Sequence, residues 1–221
     1  LTVFAGLTLP ALDGHLALHA PASAWGRISQ TLKDRNHQRA FALSALIMFA
    51  GFTVIPYITI YTQANHVLLP HEIPYIYLCG GVVTFFSSRW VGAMTDRVGK
   101  RKMFQRMILL AMVPMTLTTL MQPMPLGWVL LVTTSFFVAM NGRMIPGMAL
   151  LTSAALPQYR GTFMSLNGAV QSFSMGIASW VGGMLLQREA SGQVTHYWLC
   201  AVVAAFASLG AYFLANRVKM H

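Results

Sequence analysis

The stretch Gly92-Ala93-Met94-Thr95-Asp96-Arg97-Val98-Gly99-Lys100-Arg101-Lys102 is a short charged break between two apolar runs, Pro74–Val91 and Met107–Met121. Runs approaching twenty apolar residues match a hydrocarbon core about 30 Å thick crossed at about 1.5 Å per residue. Working outward with a window of about 19 residues, four more such runs emerge: Ala40–Thr62, Leu126–Leu151, Thr162–Leu186 and Tyr197–Ala215. The shortest apolar core, Met107–Met121, is interrupted by Pro114. A membrane helix tolerates that proline because neighbours can satisfy the freed carbonyl. The reading is an all-α integral membrane protein with six transmembrane helices.

Composition agrees. Of 221 residues 56% are hydrophobic and 9% charged, with mean hydropathy +0.58, whereas a soluble domain carries about 25% charged residues. Disorder, a disulfide scaffold and a coiled coil are excluded. Residues 1–12, LTVFAGLTLPAL, are too short to span and read as the end of a preceding transmembrane helix. Residues 13–39 read as a solvated linker or surface helix, 40–216 as the bundle and 217–221 as a tail.

A net charge of +10 would suggest nucleic acid in a soluble protein, but the basic residues here lie between apolar runs, so the expected partner is the lipid bilayer and not nucleic acid. The linker holds Arg27, Lys33, Arg35 and Arg39; the stretch after the second span adds Arg97, Lys100, Arg101, Lys102 and Arg106; Arg160, Arg217 and Lys219 follow on the same side. The opposite connections, 63–73, 122–125 and 187–196, contain only Arg188. The positive-inside rule then places the linker and both ends in the cytoplasm, as an even number of spans requires.

Polar side chains inside spans mark inward faces. Thr53, Tyr57 and Tyr61 recur every four residues on the first span, as do Asn167, Gln171 and Ser174 near that spacing on the fifth. Spans one, two, four and five are therefore expected around a polar cleft, with three and six against lipid. The competing reading is that these groups only bond helix to helix. Gly168, Ser172, Gly176, Gly182 and Gly183 read as a small-residue face for close helix packing.

No Asp or Glu lies in any span: Asp13, Asp34, Glu72, Asp96 and Glu189 all fall in linkers or connections, as do the seven histidines. Cys79 and Cys200 sit in apolar runs as inert thiols. Paired acids, a metal-ligand set and a nucleophile–base constellation are therefore missing from the spans, which argues against an enzyme or a cofactor. Arg143 stands out in the fourth span, eight residues before Leu151 and so about 12 Å from that end, farther than an arginine comfortably snorkels. It is expected to face water, a helix carbonyl or an acid from elsewhere; the bland alternative has it bonding carbonyls freed near Pro146.

In the opening stretch, Gly92 would let a neighbour approach the helix end, Asp96 could face the positive N-terminus of an adjacent helix, and Gly99 permits a tight turn. The pattern G-x-x-x-D-R-x-G-K-R after a second span closely resembles the loop motif of the major facilitator superfamily. Asn141-Gly-Arg143-Met-Ile-Pro146-Gly, with Pro157-Gln-Tyr-Arg160-Gly161 and the face of the fifth span, resembles spans ten and eleven of bacterial drug and arabinose efflux permeases. The resemblance covers nearly the whole chain. It implies the C-terminal six-helix half of a twelve-helix carrier working by alternating access, with an N-terminal six-helix half as partner and a small-molecule substrate between the halves. It also implies that within the gating motif Gly92, Asp96, Arg97, Gly99, Lys100 and Arg101 the aspartate and the first arginine, Asp96 and Arg97, help latch one half against the other. The polar side chains Thr53, Tyr57, Tyr61, Asn141, Arg143, Asn167, Gln171 and Ser174 are the expected cavity residues. Proton-coupled efflux across the cytoplasmic membrane is the implied activity; an uptake carrier or a non-transporting scaffold is the alternative. Tyr57, Tyr61 and Tyr75 suit a sugar ring or a lipophilic cation.

The topology is testable with an impermeant thiol reagent on intact cells: Gln193→Cys should label and Gln30→Cys should not. Labelling of Gln30→Cys from outside would overturn it.

Overall fold

A computed structural model describes residues 24–220; the segment 1–12 read as the end of a preceding helix, and residues 13–23 of the linker, lie outside the described residues. Eight α-helices follow in order: α1 (Ala24–Lys33), α2 (Arg35–Phe52), α3 (Ile58–Ala64), α4 (Ile73–Val98), α5 (Lys100–Thr119), α6 (Leu126–Ala154), α7 (Arg160–Leu185) and α8 (Tyr197–Ala215). A two-residue hairpin, β1 (Gln187–Arg188) against β2 (Val194–Thr195), joins α7 to α8.

Among the described residues three segments are both long and apolar enough to cross a membrane: Arg35–Ala64, Leu126–Ala154 and Tyr197–Ala215, of 30, 29 and 19 residues. The other three expected spans are also helices, α4, α5 and α7, of 26, 20 and 26 residues. Their charged or amide side chains lower the hydropathy: Arg89, Asp96 and Arg97 on α4, Lys100 to Lys102 on α5, Asn167 and Gln171 on α7.

Local chemistry sets the helix bounds, and two departures from expectation follow from it. The first span is not one continuous helix. Pro56 has no N–H to bond the Phe52 carbonyl and its ring crowds that group, so α2 stops at Phe52, a 3₁₀ turn spans Ile55–Tyr57, and α3 resumes at Ile58. Asp34 caps the other end of α2 by accepting from the His37 N–H at 2.8 Å. The charged stretch at 92–102 is not a loop: α4 runs on to Val98 and α5 starts at Lys100, leaving Gly99 alone as the corner at φ 94°, a left-handed conformation that glycine adopts without a Cβ clash.

Packing has an internal symmetry. α4 and α5 both pack on α6, as α7 and α8 both pack on α2; α5 meets α8, and α2 meets α6. Exchanging the first three long helices for the last three leaves this pairing unchanged. The helices therefore form a row α4–α6–α2–α7, with α5 and α8 behind the central pair. α8 shows how its sequence fits that place: Cys200, Ala201, Ala204, Ala207, Ala211 and Ala215 are buried, while Trp198, Val202, Phe206 and Phe213 are exposed. Small residues inward let backbones approach, and large apolar ones outward suit lipid.

The basic end of the bundle is tied by side chain to backbone bonds. The Asn36 amide clamps Lys219 in both directions, at 3.0 and 2.7 Å, and Arg101 donates to the Val218 carbonyl at 2.6 Å. At the opposite end Asn65 clamps Val194 likewise, at 2.9 and 2.8 Å. His37 is fully buried and joins three segments. The Leu156 N–H donates to Nε2 at 3.3 Å, which makes Nδ1 the protonated nitrogen facing the Thr31 carbonyl at 3.2 Å. His37→Ala should therefore destabilise the full-length protein by about 2 kcal/mol, two lost bonds at about 1 kcal/mol each, read as a thermal midpoint several degrees lower in detergent. An unchanged midpoint would show that this tie contributes nothing.

Candidate functional site

A cavity of about 420 Å³ lies between α2, α4 and α6, and α7, the fourth helix of the row, contributes no residue to its lining. α4 contributes Tyr77, Gly80, Gly81 and Thr84, one face of a helix by their spacing; α6 contributes Phe137, Met140, Asn141, Arg143 and Met144. Tyr77 and Gly81 are exposed, so this is a cleft open on one side. Its walls are mostly apolar, and the exceptions are few.

Arg143 is the principal one. It is 2% exposed, and its Nη2 donates to the Ile47 carbonyl on α2 at 3.0 Å. The carbonyl is that of another helix, not one freed near Pro146. The arginine fits because Gly51, one turn along α2, has no side chain: a Cβ there would stand 2.9 Å from Nη2. Because α6 runs to Ala154, Arg143 is about 16 Å from that helix end, deeper than a span ending at Leu151 implies. Nearby, Asn141 Nδ2 donates to Ser88 Oγ at 2.7 Å, and Ser88 donates to the Thr84 carbonyl at 2.6 Å, fastening α6 to α4.

The other expected cavity residues are placed differently. Thr53 is buried and bonds back to the Phe49 carbonyl at 2.7 Å. The Tyr57 hydroxyl donates to the Ser179 carbonyl on α7, and Tyr61 to the Met121 carbonyl at 2.9 Å. The break at Pro56 turns this stripe away from the cleft and into helix contacts. Gln171 donates to Ser44 at 3.0 Å and Ser174 to the Ala45 carbonyl at 2.7 Å, both binding α7 to α2. Asn167 is buried with Oδ1 unpartnered and does not line this cavity. The competing reading, that such groups bond helix to helix, describes Tyr57, Gln171 and Ser174, while Tyr61 bonds the connection between α5 and α6.

The glycines of α7 divide similarly. Gly182 and Gly183 lie against Tyr57, a Cβ on Gly182 standing 2.7 Å from the Thr53 carbonyl oxygen, whereas Gly168 and Gly176 face open space. Close packing is therefore made at one end of the stripe only. Gly92 also meets nothing within 4 Å, so the close neighbour expected there is not among the described residues.

At the Gly99 corner, Asp96 and Arg97 are exposed on the last turn of α4, and Asp96 makes no bond to the start of α5 as expected. Lys100 Nζ donates to Ser153 Oγ at 2.6 Å, and Arg101 holds the chain near its C-terminal end. The corner thus presents an exposed carboxylate beside an exposed guanidinium, on a base fixed to α6.

A sequence model of the Major Facilitator Superfamily matches residues 14–220. The chain belongs to the major facilitator superfamily. No curated protein matches it significantly. A major facilitator protein is a membrane transporter that handles small molecules within the membrane, and the cleft at Arg143 has the size of a small-molecule site, a few hundred Å³.

Sequence reasoning missed Thr84, Ser88, Tyr77 and Gly51. Tyr77, Gly80, Gly81, Thr84 and Ser88 do recur at helical spacing along α4, so a stripe was legible there. Gly51 carried no signal, since its partner is 92 positions away in sequence. Gly51→Ala should displace the Arg143 guanidinium and, since a shift of about 1 Å can cost a hundredfold in function, lower flux by about tenfold or more at matched expression. Gly127→Ala, where a Cβ meets nothing within 4 Å, serves as the control and should transport normally.

Proposed function

We propose that this protein is a secondary active carrier in which residues 40–216 form the six-helix C-terminal half, with both termini in the cytoplasm, moving a small molecule across the cytoplasmic membrane by alternating access. The observation that carries the reading is a buried cation, Arg143, in a cleft of about 420 Å³ well inside the bundle. An arginine facing lipid at such depth costs about 2.5–3.5 kcal/mol by insertion scales, so its position is best explained by use.

The symmetric pairing supports alternating access, because folds built from internal repeats place the substrate at their midplane and rock around it. Proton-driven efflux is the direction we favour, by the likeness of Asn141–Gly147 and Pro157–Gly161 to drug and arabinose efflux permeases. With no carboxylate in these spans, the proton-carrying acid belongs to an N-terminal half, which would also close the cleft's open side. In this reading Asp96 and Arg97 latch the two halves, their exposure leaving both free to pair.

The test is flux through the full-length protein in proteoliposomes. Saturable, gradient-driven flux that Arg143→Gln abolishes in stable protein is expected, with Arg143→Lys intermediate because it keeps the charge but loses the planar fork. Flux that does not saturate would mean a pore, and normal flux in both variants would remove Arg143 from the site.

A further inference from the structure

Two residues that line the cavity each hold a buried polar atom without any hydrogen-bond partner: Arg143 Nη1 and Thr84 Oγ1. The three other such atoms among the described residues, Arg101 Nε, Asn167 Oδ1 and Ser208 Oγ, do not line it. A guanidinium nitrogen can only donate, and a threonine hydroxyl is able to donate. An unmet donor in apolar surroundings costs stability until an acceptor arrives. Two unmet donors thus belong to residues that line one cavity, from α4 and from α6.

Charge narrows the acceptor. Asp34 and Glu72 are engaged by the backbone N–H groups of His37 and Leu69, Asp96 and Glu189 are exposed, and all four lie outside the spans. Arg143 thus has no counter-charge among the described residues. A cation would be repelled by it. A sugar would need several free polar partners, whereas Tyr77 and Asn141 are engaged with Thr59 and Ser88 and the walls otherwise supply Ile47, Phe52, Ile55, Phe137 and Met140. A dianionic phosphate would leave one charge uncompensated beside a single guanidinium. What matches is one negative charge on an apolar body.

We propose that Arg143 Nη1 and Thr84 Oγ1 together bind the carboxylate of a small amphipathic organic anion, whose apolar body packs against the α2 and α6 walls of the cleft. Nη2 stays on the Ile47 carbonyl, so the guanidinium is held in place before the ligand arrives and loses little freedom on binding. The inference rests on the carrier reading for what the bound anion is for, but not for whether it binds.

Binding is therefore measured separately from flux. Purified full-length protein in detergent is titrated by equilibrium dialysis with hexanoate, benzoate and 3-phenylpropionate, with their amides, and with benzylammonium. At least one carboxylate should bind saturably and at least about tenfold more tightly than its amide, as expected for a charge-assisted bond. Arg143→Gln should abolish that preference, and Thr84→Val, nearly isosteric, should weaken carboxylate binding several-fold. Should Arg143→Gln fail to fold, Thr84→Val decides. The proposal is overturned if no carboxylate is preferred over its amide, or if the folded variants bind as the unaltered protein does. In proteoliposomes, saturable flux of neutral solutes without carboxylate preference would overturn the anion site and keep the carrier; carboxylate preference without saturable flux would keep the site and overturn the carrier.

Discussion

A positive charge in the interior of a membrane bundle must be solvated by something the protein supplies, and here the only partner among the described residues is one backbone carbonyl. The Arg143–Ile47 bond ties the two central helices of the row, and its surroundings follow from that need. Gly51 clears space for the guanidinium, and Nη1 is left without a partner on a residue that lines the cleft. Where such a charge persists without an acid beside it, its cost in stability is best offset by a role in binding.

The rest of the bundle holds that pair in place. α8 backs it with a buried seam of small residues and α5 with larger ones such as Phe104, Ile108 and Met115. At the basic end Asn36 and His37 tie the segment before His221 and the α6–α7 connection to α2, and Lys100 and Arg101 tie the Gly99 corner to Ser153 of α6 and to Val218. Most of these ties use backbone as one partner, a strong option where water is scarce. α4 and α7, at the two ends of the row, keep large apolar residues such as Phe85, Phe86, Phe173 and Trp180 exposed, more than half of each side chain's accessible surface. Those faces need lipid or protein to cover them.

Helix positions were legible because the apolar runs and the charged breaks between them are strong signals of burial in lipid. α5 and α8, the spans without a polar stripe, stand apart from the cleft, but so does α7, whose stripe was expected to line it. The stripe on the first span was misread because a four-residue recurrence assumes an unbroken helix, and Pro56 breaks this one between Thr53 and Tyr57. Of the expected cavity residues, Asn141 and Arg143 line the cleft, and Arg143 was conspicuous as a charge in an apolar run. Thr84 was not, since a single hydroxyl among apolar residues usually bonds back to its own helix, as Thr133 and Thr62 do here. Its unpaired oxygen is a fact of packing that no pattern carries.

The central claim is that Arg143 carries its charge without an acidic partner and offers it to the cleft. Electron cryomicroscopy of the substrate-free full-length protein in lipid nanodiscs tests that directly. The account predicts the guanidinium on the Ile47 carbonyl, no carboxylate within an ion-pair distance of about 4 Å, and an open cleft in front of it. A side-chain carboxylate from any other segment paired with Arg143 would contradict it.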